Sequence, residues 1–93
     1  PQKDMLHPLI LLAVILDKAR GESEIRISSI QNEYGNAGKA FNLDIINLTA
    51  LLYRLELLGH IKVNRTAGLD VINILTTWSF LDCVREYYRA ING

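Results

Sequence analysis

The stretch from Ser28 to Ile74 constrains the fold of this chain more than any other. Ser28 and Gln31 stand at capping-box spacing, where a hydroxyl and a side-chain amide satisfy each other's backbone N–H groups, and the pair predicts a short helix that Gly35 stops. A tight connection through Gly35-Asn36-Ala37-Gly38-Lys39-Ala40 follows, with Asn42 or Asp44 as the cap of a second helix ending at Leu58-Gly59. Ile45, Leu48, Leu52 and Leu55 form one buried face of that helix, and Ile46, Leu51, Leu57 and Leu58 broaden it. From His60 to Arg65 the pattern alternates, with Ile61 and Val63 inward and His60, Lys62 and Asn64 toward solvent. Thr66-Ala67-Gly68 then turns the chain into a returning strand, Leu69 to Leu75.

The flanks complete the pattern. Pro8 suits the first turn of a helix and Gly21 the position past its end, so a first helix spans Pro8 to Arg20 and is apolar nearly all round. Its core, Leu9 to Leu16, is too short to span a bilayer and continues into Asp17-Lys18-Ala19-Arg20, which makes it a buried helix rather than a membrane or signal segment. Glu24 to Ile27 reads as a short strand with Ile25 and Ile27 toward the core. Thr76 or Thr77 caps a last helix to about Ile91, docking through Trp78, Leu81, Val84, Tyr88 and Ile91. The order is helix, strand, helix, helix, strand, turn, strand, helix: mostly α with a small β-hairpin, an α+β chain with the plan of a winged helix-turn-helix domain in which the hairpin is the wing.

Ninety-three residues, 49% of them hydrophobic, suffice for one modest core, so residues 1–93 are expected to be a single domain. The chain opens on Pro1 and is expected to be a fragment of a longer protein. One cysteine, Cys83, gives no disulfide framework and points to a reducing compartment, the cytoplasm by default. Asn47-Leu48-Thr49 and Asn64-Arg65-Thr66 match a glycosylation acceptor only by coincidence in that setting.

Catalysis or metal binding needs several ionisable groups brought together. His7 at the entrance of the first helix, His60 as a solvent-facing strand residue and Cys83 as a small buried side chain have no such company in the sequence, so no enzyme, metal site, cofactor or small-molecule ligand is expected. The glycines around Lys39 do not make a nucleotide-binding loop, because Glu33 stands where the first Gly belongs and Ala40 where the hydroxyl belongs.

Ten Lys plus Arg against ten Asp plus Glu leave a formal charge of zero, whereas a chain held to nucleic acid by bulk electrostatics usually has a basic excess. Direct DNA contact would fall to Asn42, Asn47 and Arg54 on the third helix, Lys39 before it, and Lys62 and Arg65 on the wing. Asp44 opposes that contact unless it caps the helix. The alternative is a protein-interaction domain, with a partner or a second copy held by the apolar part of the third helix or by the aromatic last helix, where Phe80 and Tyr87 are expected to lie partly outside the core.

Three separated pieces carry a resemblance to a known family. Gly35-Asn36-Ala37-Gly38-Lys39-Ala40-Phe41-Asn42-Leu43-Asp44 with the leucine-rich Leu51 to Leu58, then Arg65-Thr66-Ala67-Gly68-Leu69, then Phe80-Leu81 with Glu86-Tyr87-Tyr88, resemble the C-terminal part of a bacterial domain-of-unknown-function family. Its members stand beside DNA phosphorothioation genes, sulfurtransferase-like enzymes and other phage-defence systems. The resemblance implies a cytoplasmic protein in a DNA-modification or restriction setting; it brings no catalytic residues.

Overall fold

A computed structural model describes residues 5–40, 48–66 and 68–92. In chain order it places α1 (Leu6–Ala19), β1 (Glu24–Arg26), a 3-10 turn (Ile27–Ser29), α2 (Gln31–Ala40), α3 (Leu48–Leu57), β2 (Ile61–Thr66), β3 (Leu69–Ile74) and α4 (Phe80–Asn92). The expected α+β composition is observed: four α-helices and one three-stranded antiparallel sheet among the described residues.

The core is built around α1. Leu11, Leu12 and Ile15 are fully buried, and Leu9, Ile10 and Ala19 nearly so, because α1 packs on α4 along one side and on α2 and α3 along others. A helix covered from several sides must be apolar nearly all round, which is why its sequence lacks a clean polar face. It ends where Arg20 (φ 49°) and Gly21 (φ 87°) both turn left-handed and the Glu22 N–H donates to the Ala19 carbonyl at 2.9 Å. Gly21 accepts this conformation without a steric penalty.

Local structure departs from expectation at α2. Ser28 lies inside the 3-10 turn, and the α-helix starts three residues later at Gln31. Gly35 does not stop it, since the helix continues to Ala40. The connection to α3 therefore falls in residues 41–47, outside the described residues, together with Asn42, Asp44, Ile45, Ile46 and Asn47. Tyr34, buried on α2, and Ile30 join the core.

Helix α3 buries Leu51, Leu52 and Leu55. Leu57 and Leu58, expected to widen its buried stripe, are instead 70% and 47% exposed. Both occupy the end of a helix that Gly59 (φ 84°) terminates: the Gly59 N–H donates to Glu56 and the His60 N–H to Leu55, the paired bonds of a Schellman cap. That cap turns the chain directly into β2.

The sheet order is β1-β3-β2, with β3 central. The pairs Ile25–Ile72–Val63 cross the inner face, and Ile61–Ile74 extends it. Ile61 and Ile72 are buried there against the helices; of the two residues that the alternation placed inward, Ile61 is buried and Val63 half-buried. The β2–β3 hairpin closes at Thr66–Leu69, with Gly68 at φ 84°. A positive angle at that position is what a two-residue hairpin connection demands.

Candidate functional site

The β2–β3 hairpin presents its charges on opposite faces. Side chains alternate along a strand, so Lys62 and Asn64 point away from the core while Arg65 shares the side of Ile61 and Val63 near the hairpin tip. Arg65 is also drawn to Asp70 across the hairpin, at 4.0 Å. On the outer face the cross-strand rows are Glu24–Asn73–Lys62 and Arg26–Val71–Asn64. That face joins two cations to one carboxylate.

The remaining candidate cations lie elsewhere. Arg54 on α3 reaches back to Met5, its guanidinium 3.6 Å from the thioether sulfur. Lys39 belongs to the last turn of α2. Asn42 and Asn47 lie outside the described residues. On the described part of α3 the solvent side carries Thr49, Tyr53 (61% exposed) and Leu57, each one turn from the next, with Arg54 beside them.

Helix α4 departs most from the sequence expectation. Its cap is Ser79, not Thr76 or Thr77: the Asp82 N–H donates to Ser79 Oγ at 3.1 Å and the Ser79 N–H to Asp82 Oδ2 at 2.8 Å. This reciprocal pair holds the Asp82 carboxyl below the usual carboxylate range, with Arg85 adding to the effect. Cys83, Tyr87 and Ala90 form the buried face against α1. Tyr87, expected to be partly outside, is therefore interior, while Phe80 is 44% exposed. Leu81 (66%), Tyr88 (53%) and Ile91 (43%), expected to dock, face outward. The helix is apolar over more than one face, and α1 covers only the arc centred on Tyr87.

The outward stripe borders a groove of about 410 Å³ between α1 and α4. Ala13 and Val14 form one wall and Phe80, Val84 and Tyr88 the other; Cys83 lies at the floor, and Asp17 and the Lys18–Glu33 ion pair (3.2 Å) sit at the rim.

The chemistry-bearing side chains are dispersed and engaged. His7 Nδ1 lies 2.7 Å from the Tyr34 hydroxyl, joining α1 to α2. His60 is half-buried rather than solvent-facing: its ring packs on Trp78 with centroids 4.7 Å apart, and Nδ1 lies 2.8 Å from Thr76 Oγ1. Burial pushes the imidazole below its ordinary value. Thr76, expected to cap α4, instead accepts the Trp78 N–H at 3.1 Å and organises the turn that leads to the helix. Burial pushes the Cys83 thiol up to about 12, the state of a packing residue rather than a nucleophile. No group of three or more metal-ligating side chains forms among the described residues, and none of their helices is long and apolar enough to cross a membrane.

Two of these features escaped sequence reasoning. Ser79-Phe80-Leu81-Asp82 has the spacing of a capping box and was legible as one. The bond between Glu56 and the Val63 amide, 3.2 Å long, had no sequence signal, because it joins a helix to a strand across the chain reversal at Gly59.

Fold and surfaces together define a small α+β fold with a central helix apolar nearly all round, a three-stranded antiparallel sheet and an incompletely covered last helix. Residues 1–88 match the model of the family described as "Protein of unknown function (DUF4007)", and the chain belongs to that family. No curated protein and no solved structure matches.

Proposed function

We propose that this chain is a non-enzymatic winged helix-turn-helix module of a DNA-associated assembly in bacterial DNA modification or phage defence, and that it joins that assembly through protein contacts made by α4. Support for the winged-helix reading comes from the element order and from the sheet order β1-β3-β2, in which the first short strand pairs with the returning strand of the wing. The biological setting follows from the family resemblance of the loop, wing-tip and last-helix residues.

The observation that carries the choice of surface is the exposed stripe Leu81, Tyr88 and Ile91 on a helix whose other face is already buried. An apolar stripe at helical spacing marks a protein contact. The cations offer no comparable focus, since Lys62 and Arg65 diverge, Arg65 faces Asp70, and Arg54 turns to Met5.

Titrating a labelled DNA duplex against salt tests this reading. Arg26 and Lys62 are the pair that share an outer face, so any binding by the chain alone should be weak, with a log–log salt slope no steeper than about −2 at roughly 0.9 per neutralised phosphate. Submicromolar binding at physiological salt with a slope of about −4 or steeper would establish a DNA-reading surface and overturn the assignment of α4 as the working face.

A further inference from the structure

We infer that His60 is a latch on the connection from β3 to α4, held closed by a neutral imidazole and opened by a proton that solvent delivers to Nδ1. The latch acts within the fold and is independent of what the outer face of α4 meets. Its position is set by the backbone. The His60 N–H donates to the Leu55 carbonyl at 3.0 Å, closing α3, and the His60 carbonyl accepts the Leu75 and Thr76 N–H groups at 2.9 and 2.8 Å. The ring then reaches further along the same connection, with Nδ1 2.8 Å from Thr76 Oγ1 and its face against Trp78. One residue thus ties the end of α3 to the entrance of α4.

The hydrogen bonds along this path have a direction. The Trp78 N–H can only donate, and it donates to Thr76 Oγ1 at 3.1 Å. The hydroxyl has a single hydrogen of its own, and Nδ1 stands where that hydrogen needs an acceptor. Donation therefore runs from the Trp78 amide through the Thr76 hydroxyl to an unprotonated Nδ1, with the ring hydrogen on Nε2. A proton on Nδ1 reverses the last bond. Nδ1–H and the Trp78 N–H then converge on one oxygen, and the hydroxyl hydrogen is left without its acceptor. Burial of the ring opposes the charge as well and holds its titration below 6.5.

The charged groups on the surrounding elements are engaged. Among the described residues, Arg54 on α3 turns to Met5 and Glu56 accepts the Val63 amide. On the sheet, Lys62 lies in the cross-strand row with Asn73 and Glu24. In the first turn of α4, Asp82 is held by Ser79 and Arg85. The indole of Trp78 is the group that attracts an imidazolium, and the tilt of 58° between the rings keeps the two from stacking face to face. Opening frees residues 75–79 while α4 stays on α1 through Cys83, Tyr87 and Ala90.

Nitrogen-15 NMR of the chain from about pH 8 to about pH 5, the range in which histidine changes charge, tests the latch. The His60 ring should carry its hydrogen on Nε2 at the alkaline end and titrate below 6.5. The amides of Leu75, Thr76 and Trp78 should be less protected from hydrogen exchange than the ladder amides of β2 and β3, which marks a local opening. Their protection should fall as the pH drops, by at most about ten-fold per pH unit, the linkage of one proton. Thr76→Val keeps the branched shape without the hydroxyl, so it should raise the His60 pKa toward 6.5 and shrink this dependence. Thr76→Ser should retain it, and His60→Gln should abolish it. A neutral ring with its hydrogen on Nδ1, a His60 pKa at or above 6.5 in the unsubstituted chain, or protection at residues 75–78 equal to that of the ladder overturns the latch. A dependence that survives in His60→Gln overturns it too, and assigns the proton to His7 beside Tyr34.

Discussion

Glu56 Oε2 accepts the backbone N–H of Val63 at 3.2 Å, tying the last turn of α3 to the edge strand β2. In the antiparallel ladder Val63 faces Ile72 at a position whose N–H points off the sheet, and among the described residues β2 has no further strand beyond it. The carboxylate replaces the missing strand at that donor. It also joins α3 directly to the β2–β3 hairpin across the chain reversal at Gly59.

Glu56→Ala should therefore destabilise the chain by about 1–2 kcal/mol, the cost of leaving a part-buried amide unpaired. Glu56→Gln keeps an acceptor and should cost less. Urea unfolding of the two variants measures the difference, and equal losses would show that the bond contributes nothing specific.

Acid should loosen α4 through its cap. The Asp82 carboxyl is depressed by the Ser79 hydrogen bonds and then by Arg85, so the folded state binds its proton less readily than the unfolded state. Stability from this group is present above the ordinary carboxylate value of 3.8 and is lost as pH falls through the lower folded value. Ser79→Ala should lower the thermal midpoint at neutral pH and flatten its decline in that acid range, as followed by circular dichroism.

His60 titrates in a milder window. Its folded pKa lies below 6.5 because burial disfavours the imidazolium, so the unfolded chain binds the proton first as pH drops. The stabilisation is complete above 6.5 and declines as pH falls from there toward the folded value. The groups facing the ring are Thr76 and the indole of Trp78, both uncharged, while Glu56 on α3 is engaged with the Val63 amide. Trp78 is the chain's single tryptophan, so its fluorescence reports on this contact. The emission should shift across the titration in the wild type and not in His60→Gln.

Core and surface leucines should separate cleanly. Leu11 is fully buried at the centre of α1, and Leu11→Ala should cost about 2–5 kcal/mol from lost burial and the cavity left behind. Leu57 lies largely in solvent, and Leu57→Ala should stay within about 0.5 kcal/mol. Denaturant midpoints of the two variants check the ranking.

Much of this fold could be read before any coordinates. The all-apolar run of α1, the reversal at Gly59, the alternation of Ile61 and Val63, and the turn at Gly68 are local signals, each tied to a backbone angle or a periodicity. The stop expected at Gly35 failed because glycine only weakens a helix interior, by about 1 kcal/mol against alanine, and the helix runs on to Ala40. The cap of α4 was equally local, written as Ser79 and Asp82, yet Thr76 and Thr77 offered the same chemistry two or three residues earlier. What distinguished them was Trp78: its packing on His60 commits Thr76 to the turn before the helix.

The sequence by itself determined which segments are helix, strand and turn, because propensity, capping and periodicity act over a few residues. Only the tertiary structure decided which face of α4 is buried, since apolar residues occupy several faces and the choice depends on where α1 lies. Tyr87 goes inside and Tyr88 outside for that reason alone. The divergence of Lys62 and Arg65 was implicit in the alternation of a strand, but its meaning depended on β3 and Asp70 lying beside them. Contacts between distant segments set which side chains each surface presents.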